Sequence, residues 1–145
     1  MRLISLRVDG IERLGVVLAD GSAVDANDLG PPVPPTMTAL VDGGDAALAE
    51  LRAAVAAAAP RTGRPIDAFD LAAPLGRVGK IIAVGKNYRD HAVEEGVAPP
   101  SEPLLFAKFP SAVIGPDDAI EWRASDTSKV DWEAELAVVM GRRAR

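Results

Sequence analysis

Cysteine is absent from the 145 residues, which removes disulfides, thiolate metal sites and thiol nucleophiles together. Long apolar runs are missing as well. The longest, Ala53 to Ala59, is far below the roughly 20 residues a bilayer span needs, so no membrane partner is predicted. The N-terminus lacks the basic-then-apolar pattern of a secretory signal, and a cytoplasmic protein is the expectation. Positive charge is scarce: 16 Lys and Arg face 21 Asp and Glu, a net charge of −5. The pI is about 4.9. Nothing here attracts a phosphate backbone, so nucleic acid is not expected as a partner. Histidine occurs once, as His91.

What is present is the composition of a folded protein. Apolar residues make up 48% and charged residues 26%, the balance of a globular chain with a buried core. The length suits one ordinary domain or two small ones. The 13 glycines and 12 prolines predict many turns but fall short of low-complexity disorder.

The opening Arg2-Leu-Ile-Ser-Leu-Arg-Val8 is followed by Asp9-Gly10, then Leu14-Gly-Val-Val-Leu18, Asp20-Gly21 and Ser22-Ala-Val-Asp25. Asp-Gly pairs between short β-rich runs mark tight hairpins, so a three-stranded antiparallel meander is predicted. Pro31-Pro-Val-Pro-Pro35 excludes helix and central strand and reads as a stiff connector. A helix begins at Thr36, and its most regular part runs from Asp45 to Ala59. There Leu48, Leu51 and Val55 recur at helical spacing, Asp45 caps the start and Pro60 stops the end. Arg61 to Pro74, with Gly63 and Pro65 and no periodicity, reads as a tether. The boundary falls near Leu71, giving a small N-terminal domain over residues 1–70 and a second region over residues 71–145.

In that second region Lys80-Ile-Ile-Ala-Val84 reads as a short buried strand, Arg89 to Glu95 as a helix, and Leu104 to Lys108 as a strand. Trp132-Glu-Ala-Glu-Leu-Ala-Val-Val-Met140 reads as a further strand ending at Gly141. Alternate residues of a strand share a face, so Glu133 and Glu135 would sit about 6–7 Å apart and could converge on one ion. Their oxygens, without cysteine and with one histidine in the chain, suit Mg²⁺, Mn²⁺ or Ca²⁺ better than zinc. An edge strand with two solvated glutamates satisfies the same pattern. His91 and Glu94 are helical neighbours, the spacing at which a carboxylate orients an imidazole as a general base. A surface histidine on an acidic helix fits equally. Lys86 and Lys108 flank apolar strand ends and are candidates for binding an anionic substrate. Gly85-Lys-Asn matches neither a dinucleotide nor a P-loop fingerprint, and Ser111 lacks a Gly-x-Ser-x-Gly setting.

Four segments in order carry a resemblance: Lys80 to His91, Pro103-Leu-Leu-Phe-Ala-Lys108, Ser111-Ala-Val-Ile-Gly-Pro116, and Val130-Asp-Trp-Glu-Ala-Glu-Leu-Ala-Val-Val-Met-Gly141. Together they resemble the fumarylacetoacetate hydrolase family, specifically over Lys80 to Arg145 and more loosely before. The resemblance implies an α+β, mostly β fold: a small β-meander and helix, then the first part of a rolled mixed sheet. It implies Mg²⁺ or Mn²⁺ held by Glu133 and Glu135, with a further aspartate downstream. His91 and Glu94 would activate water, beneath a lid over Glu94 to Pro103. Lys108 would line the site, and Lys86 stands where many relatives carry Arg or another residue, so its role stays open.

The implied reaction is metal-dependent hydrolysis of a carbon–carbon bond in an acylpyruvate or similar 2,4-dioxo acid, within a homodimer. Decarboxylation or isomerisation of a diene dioate type of substrate uses the same motifs. The family's catalytic domain continues past the Glu-x-Glu strand, so the chain is expected to be the N-terminal part of something longer, and an inactive fragment is the alternative to an enzyme.

Overall fold

The computed structural model describes residues 1–58 and 63–142. Its backbone falls into two compact units. One comprises Met1–Gly76 with the described residues from Gly115 onward, and the other Arg77–Ile114.

The first unit opens with the predicted meander. Strands β1 (Arg2–Val8), β2 (Ile11–Val17) and β3 (Ala23–Asp25) form one antiparallel sheet in that order. Register runs from Arg2 opposite Val17 to Val8 opposite Ile11, and from Gly15 opposite Asp25 to Val17 opposite Ala23. Asp9 and Gly10 join β1 to β2 with φ of 51° and 75°, the two positive values a two-residue hairpin requires. In the second turn Asp20 Oδ1 accepts from the Ser22 N–H at 3.0 Å and from its hydroxyl at 2.7 Å. These bonds hold the Asp20 carboxyl below its ordinary value.

One sheet face is covered by α1 (Met37–Ala57). It begins where the sequence predicts, and Thr36 caps it, accepting from the Ala39 N–H at 3.1 Å. The helix is not continuous. Gly44, at φ 59° and ψ −141°, breaks the helical path, so Asp45 starts a second helical segment. Leu40, Ala47 and Leu51 are buried against Leu14, Val16 and Ala26, with Leu48 and Val55 packed at the margin. Burying a side chain such as Leu14 or Leu51 stabilises by about 1.5–3 kcal/mol. Ala59 and Pro60, the predicted end and stop of the helix, lie outside the described residues.

Residues 63–74 correct the tether reading, because this stretch completes backbone hydrogen bonds on both edges of the meander. Ala23 and Arg64 exchange N–H···O bonds at 2.8 and 2.9 Å. On the other edge Arg7 N–H donates to Asp70 O at 2.8 Å and Ala72 N–H to Ser5 O at 2.9 Å. A side-by-side run satisfies edge groups that would otherwise face water. Such pairing needs no periodicity, which is why the sequence does not announce it.

The second unit holds β4 (Ile81–Gly85) and β5 (Leu104–Lys108), antiparallel with Ile81 opposite Lys108 and Gly85 opposite Leu104. Between them lies α2 (Arg89–Glu94). The sequence predicts a buried β4, yet Ile82 is 66% exposed. A two-stranded ladder has too little partner surface to cover both of its faces.

The predicted strand over Trp132–Met140 is absent. Residues 113–142 contain neither strand nor helix, and Leu136 is 84% exposed. Alternating apolar residues make a strand only where a neighbouring strand supplies hydrogen bonds. No described strand does so.

Candidate functional site

The corner from β4 into α2 carries the histidine. Lys86 leaves the strand at φ 54°, a left-handed conformation that few non-glycine residues adopt, and two residues later Tyr88 holds the extended N-cap position before α2. The helix ends in a tightly specified stop. Gly96, at φ 69°, donates to Val93 O at 3.0 Å, and Val97 donates to Ala92 O at 2.9 Å. This paired 5→2 and 6→1 closure fixes the residue just before the glycine, Glu95.

Glu95 stands one turn beyond His91, and its two carboxylate oxygens take different partners. Oε1 lies 3.1 Å from His91 Nε2, and Oε2 lies 2.7 Å from Lys86 Nζ. The lysine's hydrogen bond and charge, with a smaller contribution from His91, hold the Glu95 carboxyl below its ordinary value of 4.5. The sequence pairs His91 with Glu94. The carboxylate placed on Nε2 is Glu95, and positions three and four residues on are near neighbours on a helix. Lys86 is the missed signal, since a cation entering from the strand favours whichever glutamate it reaches.

Lys86 and Lys108 stand at opposite ends of the β4–β5 ladder, because Gly85 pairs with Leu104 and Ile81 with Lys108. The Lys108 ammonium lies 5.9 Å from the Phe106 ring centre.

Glu133 and Glu135 belong to the first unit. Both are exposed, on a run with neither turn nor bend from Lys129 to Gly141. The cost of burying paired carboxylates therefore does not arise here, and it supplies no argument for a counter-ion. Among the described residues no group of three His, Cys, Asp or Glu side chains gathers as a metal cage. Two carboxylates alone still suit Mg²⁺, which commonly takes one or two of them and keeps several waters.

Comparison with known proteins agrees with these segments. Residues 80–145 match the family description "Fumarylacetoacetate (FAA) hydrolase C-terminal". The mitochondrial oxaloacetate tautomerases of Rattus norvegicus and Homo sapiens are each 38% identical to the chain, covering 100% of it and 46% of themselves. A Burkholderia ambifaria protein, provisionally named a hydrolase, is 41% identical over 97% of the chain and 47% of its own length. The chain thus spans about half the length of the curated relatives it matches. A crystal structure of an HpcE-type protein from Mycobacterium smegmatis superposes with a TM-score of 0.62 at 29% identity, covering 86% of this chain and 41% of that one. With its α+β fold and its ordered Lys80–Gly141 motifs, this chain matches the fumarylacetoacetate hydrolase family over residues 80–145 and is similar to the relatives above over nearly all of its length.

Proposed function

We propose that this chain supplies part of an enzyme that moves a proton at the carbon next to the ketone of a small 2-oxo acid, with keto–enol tautomerisation of an oxaloacetate-like dicarboxylate as its reaction. The observation that carries this reading is His91, the sole imidazole, held at Nε2 by Glu95 on a chain 38% identical to proteins named oxaloacetate tautomerases. Tautomerisation removes one proton from the methylene carbon and delivers one to the ketone oxygen, so nothing is gained or lost. His91 is the group assigned to accept and return that proton. Lys86 is occupied by Glu95, so Lys108 is assigned to a substrate carboxylate.

Glu133 and Glu135 are assigned to Mg²⁺ or Mn²⁺. When bound, the ion supplies positive charge that stabilises the negative charge developing on the substrate's oxygens. The accompanying assembly is a homodimer.

A second reading, favoured by the family description, is hydrolysis of a 2,4-dioxo acid. Water adds to the acyl carbonyl and the carbon–carbon bond breaks. An acylpyruvate then yields a carboxylate, pyruvate and one proton. His91 would take the proton from that water.

One pair of assays tests both. The chain is incubated with millimolar Mg²⁺ and either enol-oxaloacetate or an acylpyruvate. Accelerated decay of the enol absorbance, lost on His91→Ala, supports tautomerisation. Pyruvate release from the acylpyruvate supports hydrolysis instead, and acceleration of neither overturns the assignment to this chain.

A further inference from the structure

Lys86, Glu95 and Gly96 form a device around His91 that neither the family's motifs nor the relatives' names assign. Each component is separately constrained. Lys86 adopts φ 54° where β4 ends. Glu95 is the last residue before the Gly96 helix stop, whose two backbone bonds measure 3.0 and 2.9 Å. Its carboxylate bridges Lys86 Nζ at 2.7 Å and His91 Nε2 at 3.1 Å. An anion at a helix C-terminus opposes the helix dipole, so Glu95 stands there at a cost that the Lys86 ammonium offsets. All three side chains are partly exposed, and exposed ion pairs add little to stability. What a carboxylate engaged through both oxygens adds is direction.

We propose that Lys86 and Glu95 are positioning residues that fix the tautomer of His91, keeping its proton on Nε2 and the lone pair of the neutral ring on Nδ1. A carboxylate accepts and cannot donate, so the nitrogen facing it must carry hydrogen whether the ring is neutral or charged. This placement of the proton on Nε2 does not depend on the reaction proposed above.

With one histidine in the chain, the test is a spectrum of a single imidazole. The full chain is labelled with ¹⁵N-histidine and recorded at about pH 9, well above the ordinary histidine value of about 6.5. The expected result is a protonated-type signal at Nε2, an unprotonated-type signal at Nδ1, and a resolved Nε2–H proton that exchanges slowly with water. Glu95→Ala should abolish the slow proton and broaden the nitrogen signals toward a mixture of tautomers. Glu95→Gln keeps an acceptor oxygen and should restore the Nε2–H, whereas Glu94→Ala should leave it unchanged. Lys86→Met should speed its exchange. Backbone amide signals of β4 and β5 report whether each variant keeps its fold. A proton on Nδ1 in the unsubstituted chain, or a spectrum indifferent to Glu95→Ala, overturns the proposal. Neither outcome touches the turnover assays, so the two readings fail separately.

Discussion

Asp25 receives the Arg13 guanidinium at 3.1 Å on one carboxylate oxygen, while the other closes the turn that follows β3. That second oxygen accepts from the Asn27 backbone N–H at 2.9 Å and from its side-chain amide at 2.8 Å. With Asp25 only 8% exposed, its removal leaves a helical-turn donor uncapped and a guanidinium without its anion. Asp25→Ala should therefore cost about 2–3 kcal/mol. Asp25→Asn keeps the cap and should cost roughly half as much. Urea denaturation of both variants checks the order, and equal losses would assign the effect to charge alone.

Gly15 tests the packing between the first two strands. It stands opposite Ile4, and a Cβ there would lie 2.7 Å from Ile4 Cγ1 and 3.0 Å from Leu6 Cγ. Gly15→Ala forces the buried Leu6 and the partly buried Ile4 side chains off their rotamers, a cost of about 1–3 kcal/mol that outweighs the better strand propensity of alanine. The midpoint of urea unfolding should fall. A rise would show that β1 yields without strain.

The same residues show how far the sequence could be read. Asp9-Gly10 and Asp20-Gly21 specify their turns locally, so the meander was legible. Thr36 and the Leu48, Leu51 and Val55 stripe made the helix legible, and Asp45 as a cap marked where it restarts, although a glycine inside a periodic pattern does not reveal the φ that breaks the path at Gly44. Residues 63–74 hid their role because edge pairing uses backbone groups common to every residue. Trp132–Met140 misled for the converse reason: periodicity states what a strand would do with its side chains, not whether a partner strand is there. At the site, His91 stood out as the sole imidazole. The choice between Glu94 and Glu95 rested on Lys86, a residue on another element, and helix spacing carries no information about that.

Acid should loosen the end of α2 before it loosens the core strands. Lys86 and His91 face the Glu95 carboxylate, and its value in the fold lies below 4.5. A depressed carboxylate contributes its stabilisation fully above its unfolded value and loses it as pH falls through the lowered folded value. Amide exchange at Gly96 and Val97 should accelerate below about pH 4.5. Ser22, whose N–H and hydroxyl are held by the similarly lowered Asp20, should follow. The β1–β2 amides between Ile4 and Leu14 should hold. Simultaneous loss everywhere would mean global unfolding rather than local titration.

Glu133 and Glu135 offer a test of metal binding that requires no turnover. Paramagnetic Mn²⁺ broadens signals near its binding site, and on the proposed reading broadening should concentrate on the amides of residues 131–137. The Glu133→Gln and Glu135→Gln double variant should remove that effect while leaving β1–β3 spectra unchanged, because both side chains are exposed and a neutral amide is a much weaker ligand for a hard cation. Broadening spread evenly over the 21 acidic residues would count against a dedicated site.

Gly96 links the helix stop to the histidine. At φ 69° its left-handed turn sends the chain back so that Val97 can reach Ala92 O, and an alanine there pays the left-handed penalty of about 1 kcal/mol. A Cβ meets nothing within 4 Å, so the cost is conformational and not steric. Gly96→Ala should therefore leave the core untouched, fray the last turn of α2, and displace the Glu95 backbone from its fixed place. Two signals should move together: faster amide exchange at Val97, and loss of the slowly exchanging Nε2–H on His91. Gly96→Asn, which tolerates the left-handed region better, should recover both in part. Fraying at Val97 with an unchanged imidazole would show that Lys86 alone holds Glu95 against the ring.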